Sequence, residues 1–204
     1  MDRRTIFVVL ASFLLIGIVA AGVFLFSKPA SFRGTMYAEP YPPAPEIELN
    51  RDNGTSFKLS EMRGNVVLLF FGYTSCPDVC PTTMAELKQA LDELDEDDAK
   101  QVQVLFVTVD PERDTPERVQ EYVNHFNSDF IGLSGTESEL TEVWKKYGVF
   151  RENVEGTSAA GYLVNHTARV TLIDRDGNLR LSYAFDTPVD SIVHDLKLLF
   201  KEKS

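Results

Sequence analysis

Val66-Val67-Leu68-Leu69-Phe70-Phe71-Gly72-Tyr73-Thr74-Ser75-Cys76-Pro77-Asp78-Val79-Cys80-Pro81 is the stretch that decides the fold. Its first six residues form an unbroken apolar run of β-branched, aliphatic and aromatic side chains, the pattern of a central strand buried on both faces. After the two cysteines, Met84, Leu87, Leu91 and Leu94 recur at helical spacing, and Val102 to Val109 repeats the buried-strand pattern. Strand, helix, strand implies a parallel pair joined by a right-handed crossover. Both cysteines then lie beyond the carboxyl end of a parallel strand and near a helix amino terminus, the place where open α/β sheets bind ligands.

Outward from this unit the chain keeps giving boundaries. Glu46 to Asn50 and Thr55 to Leu59 flank Asp52-Asn53-Gly54 and predict a small amino-terminal β-hairpin. Thr115-Pro116 is an N-cap followed by proline at the first helical position, and Val119, Tyr122, Val123 and Phe126 lie on one face of the helix it starts. A third helix carries Leu140, Val143, Trp144 and Tyr147. Ala168 to Ile173 and Leu179 to Tyr183 flank Asp174-Arg175-Asp176-Gly177 and predict an antiparallel hairpin at the far side of the sheet. A last helix follows Thr187-Pro188, with Val189, Ile192, Val193, Leu196, Leu199 and Phe200 facing inward. A parallel βαβ unit followed by a hairpin and a helix is an α/β, thioredoxin-like order, preceded here by the extra β-hairpin.

The chain divides into residues 1–4, a short flank; 5–26, a transmembrane anchor; 27–45, a Pro-rich tether; and 46–204, the folded domain. Thr5 to Phe26 carries no charge, and as a helix it spans about 33 Å, enough for a hydrocarbon core of about 30 Å. The apolar region of a cleaved signal is shorter, about 7 to 15 residues. The flank resembles a signal n-region, which predicts a single-pass protein whose domain lies on the extracytoplasmic side of the cell membrane, or the equivalent side of the mitochondrial inner membrane. Pro29, Pro40, Pro42, Pro43 and Pro45 predict an extended, stiff spacer. A formal net charge of -11 over 204 residues argues against nucleic acid as a partner, because like charges repel.

Two cysteines in one Cys-x-x-x-Cys cluster do not make a disulfide scaffold. A helix amino terminus beside them lowers thiol pKa values and raises nucleophilicity and metal affinity. Pro77 and Pro81 exclude an uninterrupted helix through the motif and leave open which of them begins it. Asp78 and Asp110 suit both turns and modulation of the thiols. His125 and His194, on predicted helices without a motif, read as structural. The acidic run Asp92 to Asp98 reads as a solvated helix end and turn.

Phe70 to Pro81 resembles the signature of the Sco/SenC family, Val109-Asp110-Pro111-Glu112-Arg113-Asp114-Thr115-Pro116 resembles that family's second motif, and Asn165-His166-Thr167-Ala168 followed by Leu172-Ile173-Asp174 resembles its third. The resemblance implies a copper metallochaperone with Cys76, Cys80 and His166 as metal ligands. It would deliver copper to the dinuclear copper site of cytochrome c oxidase subunit II, with other copper chaperones or thioredoxin-like reductants as further partners. Two thiolates suit Cu(I), and an imidazole suits both Cu(I) and Cu(II), although zinc fits the same set. No proline occurs between Pro116 and Pro188, so the cis-proline that faces the cysteines of thioredoxin-like reductases has no counterpart, and His166 stands in that region instead. The rival reading is a membrane-anchored thiol-disulfide oxidoreductase that reduces the cysteines of the same oxidase site through Cys76 and Cys80. A peroxiredoxin, suggested by Val79-Cys80-Pro81-Thr82, leaves Cys76 unexplained, and a scaffolding factor needs neither cysteine. Gly156, Ala159, Ala160 and Gly161 before His166 predict a mobile loop over 151–165.

Overall fold

The computed structural model describes residues 2–4, 7, 12–18, 31–158 and 161–202, with backbone alone for 156–158, and the chain separates into two compact units, Met1–Ser31 and Phe32–Ser204. In the first, 3–4, 7 and 12–18 are helical. Most of the expected span Thr5 to Phe26 lies outside the described residues, and among those described no helix is long and apolar enough to cross a membrane.

The second unit runs β1 (Thr35–Met36), β2 (Glu48–Asn50), β3 (Ser56–Lys58), a 3-10 turn (Leu59–Met62), β4 (Val66–Gly72), α1 (Val79–Asp92), α2 (Glu96–Ala99), β5 (Val102–Thr108), α3 (Pro116–Asn124), β6 (Ile131–Leu133), α4 (Glu137–Tyr147), β7 (Arg151–Ser158), β8 (Gly161–His166), β9 (Arg169–Ile173), β10 (Leu179–Ala184) and α5 (Val189–Lys201). Six strands form the main sheet in the order β1-β10-β9-β4-β5-β6. β4 and β5 are parallel in register from Val66 opposite Val102 to Gly72 opposite Thr108. β9 lies antiparallel on the other side of β4. With partners on both edges and every residue buried, β4 needs the continuous apolar run that the sequence supplies.

The helices follow their caps. Thr115 accepts the Arg118 N–H at 3.3 Å with Pro116 at the first helical position. Thr136 and Glu139 form a reciprocal capping box, and an N-cap of this kind contributes about 1 kcal/mol. α3 lies hard against β6 because residue 132 is glycine: a Cβ there would stand 2.8 Å from the Val119 backbone.

The expected parallel βαβ unit, the β2–β3 hairpin, the β9–β10 hairpin and the inward stripe of the last helix are all present, with Ile192, Val193, Leu196 and Leu199 buried and Val189 and Phe200 packed against the core. α1 begins at Val79, between the two expected starts. That places Pro81 in the first turn, where its missing N–H has no intrahelical acceptor to lose. Two expectations are corrected. Residues 151–158 and 161–165 are strand rather than loop: β7 and β8 pair antiparallel, with Arg151 opposite His166 and Val154 opposite Leu163, while 159–160 lie outside the described residues.

The described part of the expected spacer is also no free tether, because the folded unit begins at Phe32 rather than at residue 46. β1 pairs with β10, and the Arg33 and Gly34 N–H groups donate to the buried carboxylate of Asp195 at 2.9 and 2.8 Å. Proline leaves its carbonyl as an acceptor, and two such carbonyls are used: Pro42 O takes the Leu179 N–H at 2.9 Å and Pro45 O takes the Tyr147 hydroxyl at 2.6 Å. Thr35 lies opposite Ser182, Ala184 opposite Arg169 and Val170 opposite Phe70. The chain therefore enters the domain at the end of the sheet where β4 finishes.

Candidate metal centre

β4 delivers the chain to Gly72, and there the glycine is required. A Cβ at Gly72 would stand 2.8 Å from the Phe106 ring and 3.0 Å from Cys80 Sγ, so this position lets the buried sulfur lie against the strand. The following turn is tied down by Asp114, a fully buried carboxylate. It accepts the Thr74 N–H at 2.9 Å, the Thr74 hydroxyl at 2.6 Å and the Thr108 hydroxyl at 2.7 Å. Burial pushes the Asp114 pKa up, and these three hydrogen bonds oppose the shift.

Cys76 is half-buried and Cys80 fully buried; both are free thiols. Asp78 is the N-cap residue of α1 but makes no side-chain cap. Instead, Cys76 Sγ accepts the Cys80 N–H at 3.3 Å, so the sulfur occupies the capping role and faces the positive end of the helix. The two thiols divide their protonation accordingly. A hydrogen bond from Cys80, then backbone N–H groups of Asp78 and Cys80, hold Cys76 down at about 5 against the opposing effect of burial. The same hydrogen bond and burial drive Cys80 strongly upward. At neutral pH Cys76 is a thiolate and Cys80 keeps its proton.

His166 ends β8. Its Nδ1 lies 3.1 Å from Val164 O; a carbonyl only accepts, so Nδ1 carries the proton and Nε2 presents its lone pair. That Nε2 stands 3.8 Å from Cys80 Sγ. Tyr73 packs edge-on against the imidazole with centroids 5.7 Å apart and Phe70 at 6.5 Å. The late imidazole and the buried sulfur thus meet at the mouth of the sheet.

Among the described residues no three His, Cys, Asp or Glu side chains form a finished metal cage. The pair suits a shared ion nonetheless: bonds of about 2.3 Å to sulfur and about 2.0 Å to nitrogen, at trigonal to tetrahedral angles, place the two donors about 3.5–3.8 Å apart. Cys76, whose Sγ accepts the Cys80 N–H at 3.3 Å, offers a second sulfur beside them. His125 donates Nδ1 to Glu121 O at 2.7 Å on the exposed side of α3 and takes no part in the Cys80 and His166 contact.

Asp110 is buried and bound to Arg113 and to the Tyr162 hydroxyl at 2.7 Å. Its part is to hold neighbouring segments together, which the sequence left undecided. Gly72, Asp114, Arg113 and Tyr162 were not singled out from the sequence as site residues, although Arg113 and Asp114 lie inside the second motif.

The SCO1/SenC family model matches residues 37–201. The chain belongs to the SCO1/SenC family. Among its SCO1/SenC relatives, the SCO2-like protein of Rickettsia felis is 33% identical over 202 residues, covering 97% of this chain and 98% of the relative. The solution structure of apo Sco1 from Thermus thermophilus is 39% identical with a TM-score of 0.75, covering 85% of this chain and 99% of that one. Copper-bound ScoI of Arabidopsis thaliana is 31% identical with a TM-score of 0.73, covering 78% and 99%. The thioredoxin-like α/β fold expected for SCO1/SenC proteins is the fold observed.

Proposed function

We propose that this SCO1/SenC protein is a copper metallochaperone in which Cys76, Cys80 and His166 hold the metal as cargo. The approach of His166 Nε2 to Cys80 Sγ, 3.8 Å across 86 residues of sequence, carries the proposal. The copper bound in Arabidopsis ScoI supports the choice of metal, as does the affinity of two thiolates for Cu(I). Cys76, already a thiolate, is the first sulfur available to an incoming ion. Cys80 joins by giving up its proton, and the imidazole of His166 completes the set. Release proceeds by ligand exchange with thiolates of the acceptor.

The acceptor in this proposal is cytochrome c oxidase subunit II at its dinuclear copper site. Thr5 to Phe26 serves as a single-pass anchor that keeps the domain beside it on the extracytoplasmic side, raising the effective concentration of a membrane-bound partner. Copper titration of the reduced full chain in detergent tests the assignment. One equivalent bound tightly by the wild type, and weakly by His166→Ala and by the double variant Cys76→Ala/Cys80→Ala, is the expected result. Equal binding by all three would sink it.

A second proposal is favoured by the unequal thiols. A half-buried, low-pKa sulfur next to a buried, protonated one is the division of labour of a reductant. Cys76 would attack a partner disulfide, and Cys80 would resolve the mixed disulfide. Two electrons and the Cys80 proton then pass to the partner, which takes its second proton from solvent, while Cys76 and Cys80 become a disulfide. Exchange with an oxidised subunit II peptide that survives His166→Ala would favour this reading over copper carriage.

A further inference from the structure

β7 and β8 form a two-stranded sheet of their own and pair with no strand of the main sheet. No ladder to the main sheet therefore sets the tilt of β8 above the cysteines; the hairpin is tied there by the two residues that lead from His166 to Arg169 of β9 and by side chains. Tyr162, Val164 and His166 alternate onto one face of β8. Val164 is buried and His166 meets Cys80. Tyr162, at the opposite end of that face, is gripped. Arg113 stacks its guanidinium 3.8 Å from the Tyr162 ring centroid and donates Nη1 to Tyr162 O at 2.9 Å. The Tyr162 hydroxyl hydrogen-bonds to Asp110 Oδ1 at 2.7 Å and to Glu112 Oε2 at 3.1 Å. Asp110 in turn holds Arg113 Nε, and Arg113 also lies 5.7 Å over the Tyr73 ring, the same ring that packs against His166.

We propose that Arg113 and Tyr162 are positioning residues: together they clasp the β7–β8 hairpin to the segment after β5 and thereby set the imidazole of His166 within reach of Cys80. This deepens the proposed function and rests on His166 being a copper ligand. The geometry favours a clasp over mere packing. Arg113 contacts β8 through both a backbone carbonyl and a ring face, and four residues of strand, about 13 Å, separate that grip from the imidazole. A slack clasp tilts the far end of β8, so the effect of breaking it is read at the metal site. Asp110 and Glu112 belong to the same loop as Arg113, so the grip spans that one loop and the hairpin.

The test is a double-mutant cycle on Cu(I) affinity, measured by competition with a chromophoric chelator on the reduced full chain. Tyr162→Phe keeps the stacked ring and loses only the hydroxyl bonds, and it is expected to weaken affinity about threefold; Tyr162→Ala is expected to weaken it about tenfold. In a His166→Ala background the same substitutions should change affinity less than about twofold, because the positioned group is gone. An equal factor in both backgrounds, or no change with His166 present, overturns the clasp. Amide exchange in β8 of Tyr162→Ala should also quicken about tenfold without copper, and unchanged exchange overturns the proposal by itself. Should His166→Ala load copper like the wild type, the ligand assignment fails, and with it the positioning role. Where Tyr162→Ala does not fold, Tyr162→Phe carries the cycle and Arg113→Lys supplies its second arm, expected to retain more affinity than Arg113→Met.

Discussion

The strand that leads to the cysteines and the hairpin that carries His166 serve one contact, Cys80 Sγ to His166 Nε2 at 3.8 Å, yet they are held in opposite ways. β4 has a strand on each side and buries every residue. The β7–β8 hairpin pairs only with itself, and its outer face leaves Val154 37% exposed, while Phe150 just before it is 61% exposed. A carrier has to grip its cargo and surrender it. Two sulfurs rooted in the core and an imidazole on a side-chain clasp provide one fixed half of a site and one that can be withdrawn.

That contrast can be broken in four ways, from the strongest effect down. Phe70→Ala in β4 should lower stability by about 3–5 kcal/mol, since it empties a fully packed position, and urea unfolding of the apo protein measures it. A loss below about 1 kcal/mol would show that β4 is no more firmly held than the hairpin. His166→Ala should leave the unfolding midpoint nearly unchanged while Cu(I) affinity falls at least about a hundredfold, beyond what outer-shell partners command. A large drop in stability instead would make His166 a structural residue.

The third concerns protons. Cys76 is ionised above about 5 and Cys80 is held protonated, so loading releases one proton, and between pH 7 and 8.5 affinity should climb about tenfold per pH unit. A hundredfold slope would mean that both sulfurs enter protonated. The apo protein carries the matching signature. The depressed Cys76 pKa contributes stability that is present above the unfolded thiol value of about 8.5 and is lost as pH falls towards about 5. The raised Cys80 pKa works the other way, because the unfolded thiol ionises above about 8.5 while the folded one does not, so its contribution is lost as pH rises. The smallest effect belongs to the outer face of the hairpin: Val154→Thr should stay within about 0.5 kcal/mol by thermal melting. A larger loss would reveal that the hairpin is packed more like β4 than its exposure implies.

Legibility in the sequence followed the same division. β4, β5 and the faces of α1, α3, α4 and α5 announce themselves because burial in a sheet or against it demands apolar residues at a fixed period. β6 is only three residues long and β1 only two, too short for a period to register. β7 reads Arg-Glu-Asn-Val-Glu-Gly-Thr-Ser and pairs through its backbone with β8, so nothing in its side chains asks for a strand. The same cause hid the site's supports. Asp114 acts through Thr74, 40 residues earlier, and Arg113 through Tyr162, 49 residues later; such contacts leave no periodic trace. His166 could be named only through a resemblance of motifs, whereas the cysteines could be placed from the strand before them and the helix after.

Asp195 holds the Arg33 and Gly34 N–H groups at the cysteine end of the sheet, and the Tyr183 hydroxyl braces the same carboxylate at 3.2 Å. A pull on the chain at Phe32 is therefore met at once by α5 and β10, and the edge strand peels away only if the Asp195 carboxylate lets go. The leash is thus stitched down at its near end before the first strand begins.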